Sequence, residues 1–182
     1  MHTFGRASDG SLTVTLLEGE AAMLKMLLTE VRKLVSAPDA DNAAARRLYP
    51  RAYLDPTEEN AEQQWQSLVH DDLVDGRVRA FDTVWMLVDG ATPQRDGSIV
   101  LHLDAEQEEL FLGSVNDLRL ALAALLEADS VATEDDVEPE GAPAAAGEVQ
   151  AEVLLQWLLE LVAEHVDLLL DEMPEEPGSS GA

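Results

Sequence analysis

The sequence predicts a mainly α-helical domain of about five helices with a small two-stranded β-ribbon, formed by residues 12–16 and 99–103. Two observations predict this class: apolar residues recur at helical three- and four-residue spacing along most of the chain, and only two short segments alternate apolar with polar. Apolar residues make up 46% of the 182 residues and aromatic ones only 4%, which indicates an aliphatic core. We assign a flexible N-terminus to 1–10, one helical domain to 11–172 and a disordered tail to 173–182.

The charge is strongly negative and unevenly distributed. The chain has 37 acidic and 11 basic residues, a net charge of −26. From Asp96 onward 22 acidic side chains face a single basic one, Arg119. Such a surface repels phosphate groups, so we expect neither nucleic acid nor a membrane as a partner. No cysteine is present and the first residues lack an apolar signal core, which favours a cytoplasmic location.

The first helix follows the first strand directly. Residues 12–16 alternate apolar and polar side chains, as a half-buried strand does. The next segment places apolar side chains on one helical face and ends before Pro38. Residues 46–53, which we name the connector, are basic and aromatic and are interrupted by Pro50.

Two further helices are predicted between the connector and the second strand. Asp55 suits an N-cap and Pro56 the first helical position, while Glu58 can bond back to the cap. This helix is predicted to end near Asp75-Gly76. Another helix, with apolar residues at three- and four-residue spacing, runs from there to Asp89-Gly90.

The second strand repeats the pattern of the first. Residues 96–103 match residues 9–16 as an Asp-Gly-Ser turn, an alternating strand and then a helix. Because an unpaired strand leaves its backbone groups unsatisfied, we expect the two strands to pair with each other.

The acidic half contains two long helices. Asp104 and Gln107 form a capping box, and the helix after them extends to about residue 128. One of its faces carries only small or polar side chains, against which another helix could pack closely: Gly113, Ser114, Asp117, Ala121 and Ala124. Residues 129–147 are acidic and proline-bearing, which predicts a mobile linker. The last helix, 148–172, is very apolar with one stripe of acids. Those acids argue against a membrane span. Because nearly all its other side chains are apolar, the helix is either buried on most of its circumference or a candidate homo-oligomer interface.

No pattern of catalytic or ligand-binding residues stands out. The four histidines lack the spacing of metal ligands, and there is no serine on a glycine elbow, phosphate-binding loop or dinucleotide fingerprint. We therefore expect no enzyme activity, no cofactor and no metal site.

The candidate interaction residues lie in two segments. The first segment has three polar residues in the middle of a predicted helix: Asn116, Asp117 and Arg119. Asn and Asp are mildly unfavourable for helix formation at such positions. We predict that Asn116 or Asp117 anchors the connector through an arginine. This contact is either a purely structural tie or the support of a binding surface made by the connector residues Arg46, Arg47, Tyr49, Arg51 and Tyr53.

Three segments of the chain resemble a known family. Residues 17–24, the connector and residues 114–122 are similar in order and spacing to the actinobacterial domain of unknown function family twenty-seventeen. The run Asn116-Asp117-Leu118-Arg119-Leu120 is the most distinctive part. The resemblance covers most of residues 12–173 and implies no established activity or cofactor. It does imply that members are often encoded beside the Clp protease adaptor ClpS and that some are labelled transcriptional regulators.

These observations together favour a non-enzymatic cytoplasmic interaction or regulatory accessory protein with a link to Clp-dependent proteolysis. Two alternatives stay open. One is a transcriptional regulator, although the charge disfavours it. The other is a homo-oligomeric structural domain that associates through the helix 148–172.

Overall fold

The mainly helical fold is confirmed. The computed structural model describes residues 2–39, 41–135 and 144–172. In chain order these residues form β1 (Thr3–Arg6), β2 (Leu12–Leu17), α1 (Glu18–Ser36), α2 (Ala43–Leu48), a 3₁₀ turn (Pro56–Glu58), α3 (Glu59–Asp89), β3 (Ser98–Leu103), α4 (Ala105–Asp135) and α5 (Ala144–Glu172).

The β-sheet has three antiparallel strands in the order β1-β2-β3. The predicted pairing of residues 12–16 with 99–103 is confirmed, since Leu12 lies opposite Leu103 and Leu16 opposite Ile99. The prediction of only two strands was wrong, because the N-terminal segment that we expected to be flexible contributes β1. Thr3 lies opposite Thr15, and the Phe4 ring packs edge-on against Phe111. These non-local contacts order a segment that has no strong strand pattern of its own.

The repeated Asp-Gly-Ser segments are turns of the same construction. Asp9 accepts a hydrogen bond from the Ser11 backbone N–H at 3.0 Å, and Asp96 accepts one from the Ser98 backbone N–H at 3.0 Å. Hydrogen bonds from the serine hydroxyl and backbone lower the pKa of both aspartates. The glycine between them has a φ of +85° in the first turn and +80° in the second, a left-handed conformation that suits glycine.

Two glycine-to-alanine substitutions should change stability in opposite directions. Gly97 has the positive φ, so Gly97→Ala is expected to lower the free energy of unfolding by about 1 kcal/mol. Gly113 is an exposed α4 residue with open space where a Cβ would lie, so Gly113→Ala should raise it by about 0.5–1 kcal/mol. Urea denaturation of both variants is the measurement, and a gain in stability for Gly97→Ala would contradict the assigned turn.

The helix starts follow the predicted capping residues. Asp55 accepts a hydrogen bond from the Thr57 backbone N–H at 2.8 Å. Asp104 accepts one from the Gln107 backbone N–H, and the Gln107 side chain accepts one from the Asp104 backbone N–H. Asp55 therefore caps the 3₁₀ turn that precedes α3, and the predicted capping box of Asp104 and Gln107 is confirmed.

Several predicted helix boundaries were wrong. The two helices that we expected on either side of Asp75-Gly76 are one continuous helix, α3. Gly76 is exposed, and a glycine within a helix costs only about 1 kcal/mol, too little to end a helix that the core holds at buried Phe81. The start of the connector is helical, because the Asn42 side chain caps α2.

The predicted linker 129–147 is shorter than expected. The backbone of α4 continues to Asp135 and α5 begins at Ala144, so both ends of that range are helical. Residues 136–143 and the predicted tail 173–182 lie outside the described residues.

One aliphatic core connects the sheet to the helices. The inward side chains of β2 alternate as predicted and are fully buried. The α4 stripe that begins with Phe111 packs below them, and α5 closes the core on the far side. The largest fully buried side chains are Phe81, Phe111, Leu12, Leu16, Leu24, Leu28, Leu103, Leu118, Leu158 and Leu161.

Candidate functional site

The connector begins as part of α2, which packs against α4. The α2 side chains Ala44 and Ala45 are buried, as are Ala121 and Ala124 of α4. Small side chains let two helix backbones approach closely. The small-residue face of α4 therefore has the neighbouring helix that the sequence predicted, and it fixes the start of the connector on the domain.

Further along the connector, Tyr49 contacts one residue of α1 and two residues of α3. The guanidinium carbon of Arg77 lies 4.8 Å from the centre of the Tyr49 ring, a cation–π contact. The His70 ring lies 5.5 Å from the same ring. The Tyr49 hydroxyl donates to the Val35 carbonyl at 3.3 Å. The connector is thus attached to the end of α1 and the middle of α3 through one partly buried aromatic ring.

Arg77 also forms the ion pair that completes this attachment. Its Nε donates to Asp117 Oδ2 at 2.9 Å. The two side chains are only 25% and 18% exposed, so the pair is largely shielded from water. Burial raises the pKa of Asp117 although the Arg77 charge acts in the opposite direction. We name the contact of Tyr49, Arg77 and Asp117 the Tyr49 tie.

The structure brings the predicted site residues together in a different way from our prediction. Asp117 does bind an arginine, but that arginine is Arg77 of α3 and not a connector residue. Asn116 accepts a hydrogen bond from Arg119 Nη2 at 2.8 Å within α4 and takes no part in the tie. No local pattern could have identified Arg77, because it is 28 residues from Tyr49 and 40 from Asp117.

Two connector arginines line an open groove between α2 and α4. The groove has a volume of about 580 Å³. Arg46 and Arg47 are exposed, and Arg46 Nη1 donates to the Asp41 carbonyl at 3.0 Å. Among the residues that the structure describes, Arg47 makes no hydrogen bond or ion pair. The groove is lined by Ala43, Arg46, Arg47, Ala124, Glu127 and Ala128.

The end of the connector is bound to the start of α3. Arg51 Nη2 donates to Glu59 at 2.5 Å on the surface. The Tyr53 backbone N–H donates to Glu62 at 2.8 Å, while the Tyr53 side chain remains exposed. Of the five predicted connector residues, Tyr49 is therefore structural and the other four remain at the surface.

Comparison with known proteins identifies the family. The model of the family described as "Domain of unknown function (DUF2017)" matches residues 1–172. The chain belongs to the DUF2017 family. No curated protein and no solved structure matches the chain. Any role for this DUF2017 domain therefore has to be argued from its own residues.

A second polar cluster of the DUF2017 domain lies between the N-terminus and α5. Buried His2 places Nδ1 3.2 Å from Glu20 Oε1 and Nε2 3.4 Å from Glu164 Oε1. Trp157 Nε1 donates to the same Glu20 oxygen at 3.4 Å. The other Glu20 oxygen accepts a hydrogen bond from the Leu17 backbone N–H, which caps α1. Glu20 therefore joins the start of α1 to α5.

Buried His165 lies farther along α5. It places Nε2 3.5 Å from Glu108 Oε1 and packs against the Phe4 ring. Glu108 in turn accepts two hydrogen bonds from Arg6 of β1. Sequence reasoning could not find these contacts because they join distant segments.

The Glu20 contacts predict a pH-dependent loss of stability. Burial alone would raise the pKa of Glu20, but hydrogen bonds from Leu17, His2 and Trp157 outweigh it and lower the pKa. A carboxylate with a lowered pKa stabilises the folded state at neutral pH, and this stabilisation disappears as the pH falls through the folded-state value. Glu20→Gln should lower the free energy of unfolding by about 1 kcal/mol at neutral pH and by less below about pH 4.

Urea denaturation at neutral and acidic pH measures this effect. Glu18→Gln is the matched control, since Glu18 lies in the same first helical turn and is exposed. A difference between Glu20→Gln and the unmodified protein that stays constant down to pH 3 would contradict the prediction.

Two features are absent from the part of the DUF2017 domain that the structure describes. No three His, Asp or Glu side chains there lie close enough together to hold a metal ion. No helix in the same residues is long and apolar enough to cross a membrane.

Proposed function

We propose that this DUF2017 protein is a non-enzymatic, cytoplasmic interaction or regulatory accessory protein whose binding surface is the exposed part of the connector. One observation carries the proposal: the Tyr49 tie holds the connector rigidly on the helical body while Arg46 and Arg47 stay exposed beside an open groove. A surface that is already ordered loses little conformational entropy on binding.

The chemistry of the groove favours an acidic partner segment. Arginine binds carboxylates through two parallel hydrogen bonds and is common among the residues that dominate protein interfaces. Arg47 has no intramolecular ion pair among the described residues, so its donors are available to a partner. The alanines that line the groove leave room for a peptide backbone. The rest of the surface is strongly acidic and would repel such a segment, which would restrict it to this site.

The transcriptional-regulator alternative has weaker support. It requires several bases that point outward from one helix. The three bases of α1, Lys25, Arg32 and Lys33, each form an ion pair with a carboxylate. In α3, Arg77 is bound to Asp117, and Arg79 Nε donates to the Asp75 carbonyl of its own helix.

A capture experiment tests the proposed surface. The tagged protein is cross-linked in its native host and the captured proteins are compared by mass spectrometry with those of an Arg46→Ala/Arg47→Ala/Arg51→Ala variant. We expect the triple variant to lose a protein that the unmodified chain captures. The control is Lys33→Ala/Arg79→Ala/Arg95→Ala, which removes the same charge from exposed positions elsewhere and should retain that protein. Equal capture by both variants would contradict the proposal.

The proposed link to Clp-dependent proteolysis rests on the gene neighbourhood that the family resemblance implies. It is tested with reconstituted host Clp protease and a ClpS-dependent substrate, whose degradation rate is measured with and without this protein. A change in rate that the triple variant does not produce would support the link. An unchanged rate would contradict the link to Clp-dependent proteolysis. It would not bear on the connector surface, which the capture experiment tests separately.

A further inference from the structure

The helix α5 carries two parallel apolar stripes, and only one of them has fully buried side chains. The first stripe faces the body, with Leu158 and Leu161 fully buried. The second is rotated away from it, and its residues recur at four, three, four and three positions, the spacing of a coiled-coil seam. We name it the outer stripe, and it consists of Leu155, Leu159, Val162, Val166 and Leu169.

Three of the five side chains of the outer stripe are exposed, while Leu155 and Val162 are partly buried and Val162 also packs against the core. Leu159 is 41% exposed and Val166 45% exposed, and neighbouring Leu170 is more exposed still. Within the described residues, α5 has more exposed large apolar side chains than any other element. Contiguous exposed apolar surface of this kind marks interaction sites in soluble proteins.

The charges around the stripe determine which partner fits. Glu152, Glu160 and Asp167 lie along its solvent side, each about two turns from the next. No lysine or arginine occurs anywhere in α5. A helix that packs on the outer stripe would therefore have its own flanking side chains beside a row of carboxylates.

We propose that the outer stripe of α5 binds a basic amphipathic helix of a partner protein, with the partner's apolar face on the stripe and its lysines or arginines along the carboxylate row. This site lies outside the connector surface and does not depend on the role proposed for it. Helices of opposite flanking charge pair preferentially, and like charges at such positions oppose pairing.

The same charges disfavour the two other possible occupants. A second copy of α5 would bring two rows of carboxylates together without any base on either helix. The segments 136–143 and 173–182 of this chain contain acids and no base, so neither has the composition of the proposed ligand. A homo-oligomer through this helix, one of the alternatives that the sequence left open, would therefore contradict the proposal if the test showed it.

Binding to synthetic helical peptides tests the proposal with the full-length chain. The probe is a labelled peptide with leucine at the a and d positions of its heptads and lysine at e and g, and fluorescence anisotropy reports binding. Two control peptides are a glutamate version and a scrambled lysine version of the same composition. We expect the heptad lysine peptide to bind at least about tenfold more tightly than either control.

Two matched variants locate the binding site. Leu159→Gln/Val166→Gln changes the outer stripe and should weaken binding of the lysine peptide by about tenfold or more. Val149→Gln/Val153→Gln changes side chains of the same helix that are 58% and 62% exposed but lie off the stripe, and it should leave binding within about twofold. Circular dichroism checks that both variants keep their helix content.

Three results would overturn the proposal. The first is equal binding of the scrambled peptide, which would indicate attraction by charge alone. The second is equal weakening by both variants. The third is a dimer seen by light scattering that Leu159→Gln/Val166→Gln converts to a monomer, which would assign the stripe to a second copy of the chain. None of these results bears on the connector surface.

Discussion

Replacing Trp157 by alanine is expected to lower the free energy of unfolding by about 3–5 kcal/mol, the largest loss that we predict for this protein. The indole is buried between α5 and the N-terminal segment. It packs edge-on against the His2 ring, with 6.3 Å between ring centres, and donates a hydrogen bond to Glu20. The substitution leaves a cavity and removes one of the hydrogen bonds that stabilise the Glu20 carboxylate.

Proteolysis shows whether this loss is local to α5. The helix contains several acids but no lysine or arginine, so a glutamate-specific protease reports on it while trypsin does not. We expect Trp157→Ala to be cleaved in α5 well before the unmodified protein. Val153→Ala, in the same helix at a position 62% exposed, should change stability by less than about 0.5 kcal/mol. Equal stability of the two variants would show that α5 is not anchored at Trp157.

Asp117→Ala is expected to lower the free energy of unfolding by about 2–3 kcal/mol. It leaves the Arg77 guanidinium, only 25% exposed, without its carboxylate. Arg77 also packs on Tyr49, so the change should loosen the connector and speed tryptic cleavage after Arg46, Arg47 and Arg51. Unfolding in urea and limited trypsin digestion are the two measurements. Unchanged cleavage at these positions would contradict the role of the Tyr49 tie.

Two further variants show whether the loss of stability in Asp117→Ala comes from the shielded position of the ion pair and from the charge of Asp117. Asp82→Ala removes the Arg32–Asp82 pair, in which both side chains are at least 40% exposed, and should cost no more than about 1 kcal/mol. Asp117→Asn keeps an acceptor for Arg77 and should lower the free energy of unfolding by less than Asp117→Ala.

Because burial raises the pKa of Asp117, its ionised form is disfavoured in the fold, and its contribution to stability falls as the pH rises through that pKa.

The parts of the fold that sequence reasoning found are those that local patterns determine. The capping residues Asp55 and Asp104 begin helices as predicted, because a side chain that bonds to a backbone group a few residues away depends only on local sequence. The pairing of the two alternating strands was also predicted, since each strand needs a partner and the rest of the pattern is helical.

The parts that it missed depend on contacts between distant residues. The strand β1 has only four residues, and its order comes from β2 and from Phe111. The continuity of α3 through Gly76 depends on the core around Phe81, which outweighs a weak local preference. The sequence indicated that Asn116 or Asp117 binds an arginine, but only the three-dimensional arrangement shows that the residue is Asp117 and its partner Arg77.

The packing of β1 against α5 has a consequence for the synthesis of the protein. Phe4 and Arg6 leave the ribosome well before their partners Phe111, Glu108 and His165, and α5 emerges after the other described helices. At translation rates of about 5–20 residues per second, the N-terminal strand waits about ten seconds or more for its final neighbours. During that interval an unprotected strand edge is available to other nascent chains. The late arrival of α5 therefore lengthens the period in which β1 can associate with other nascent chains.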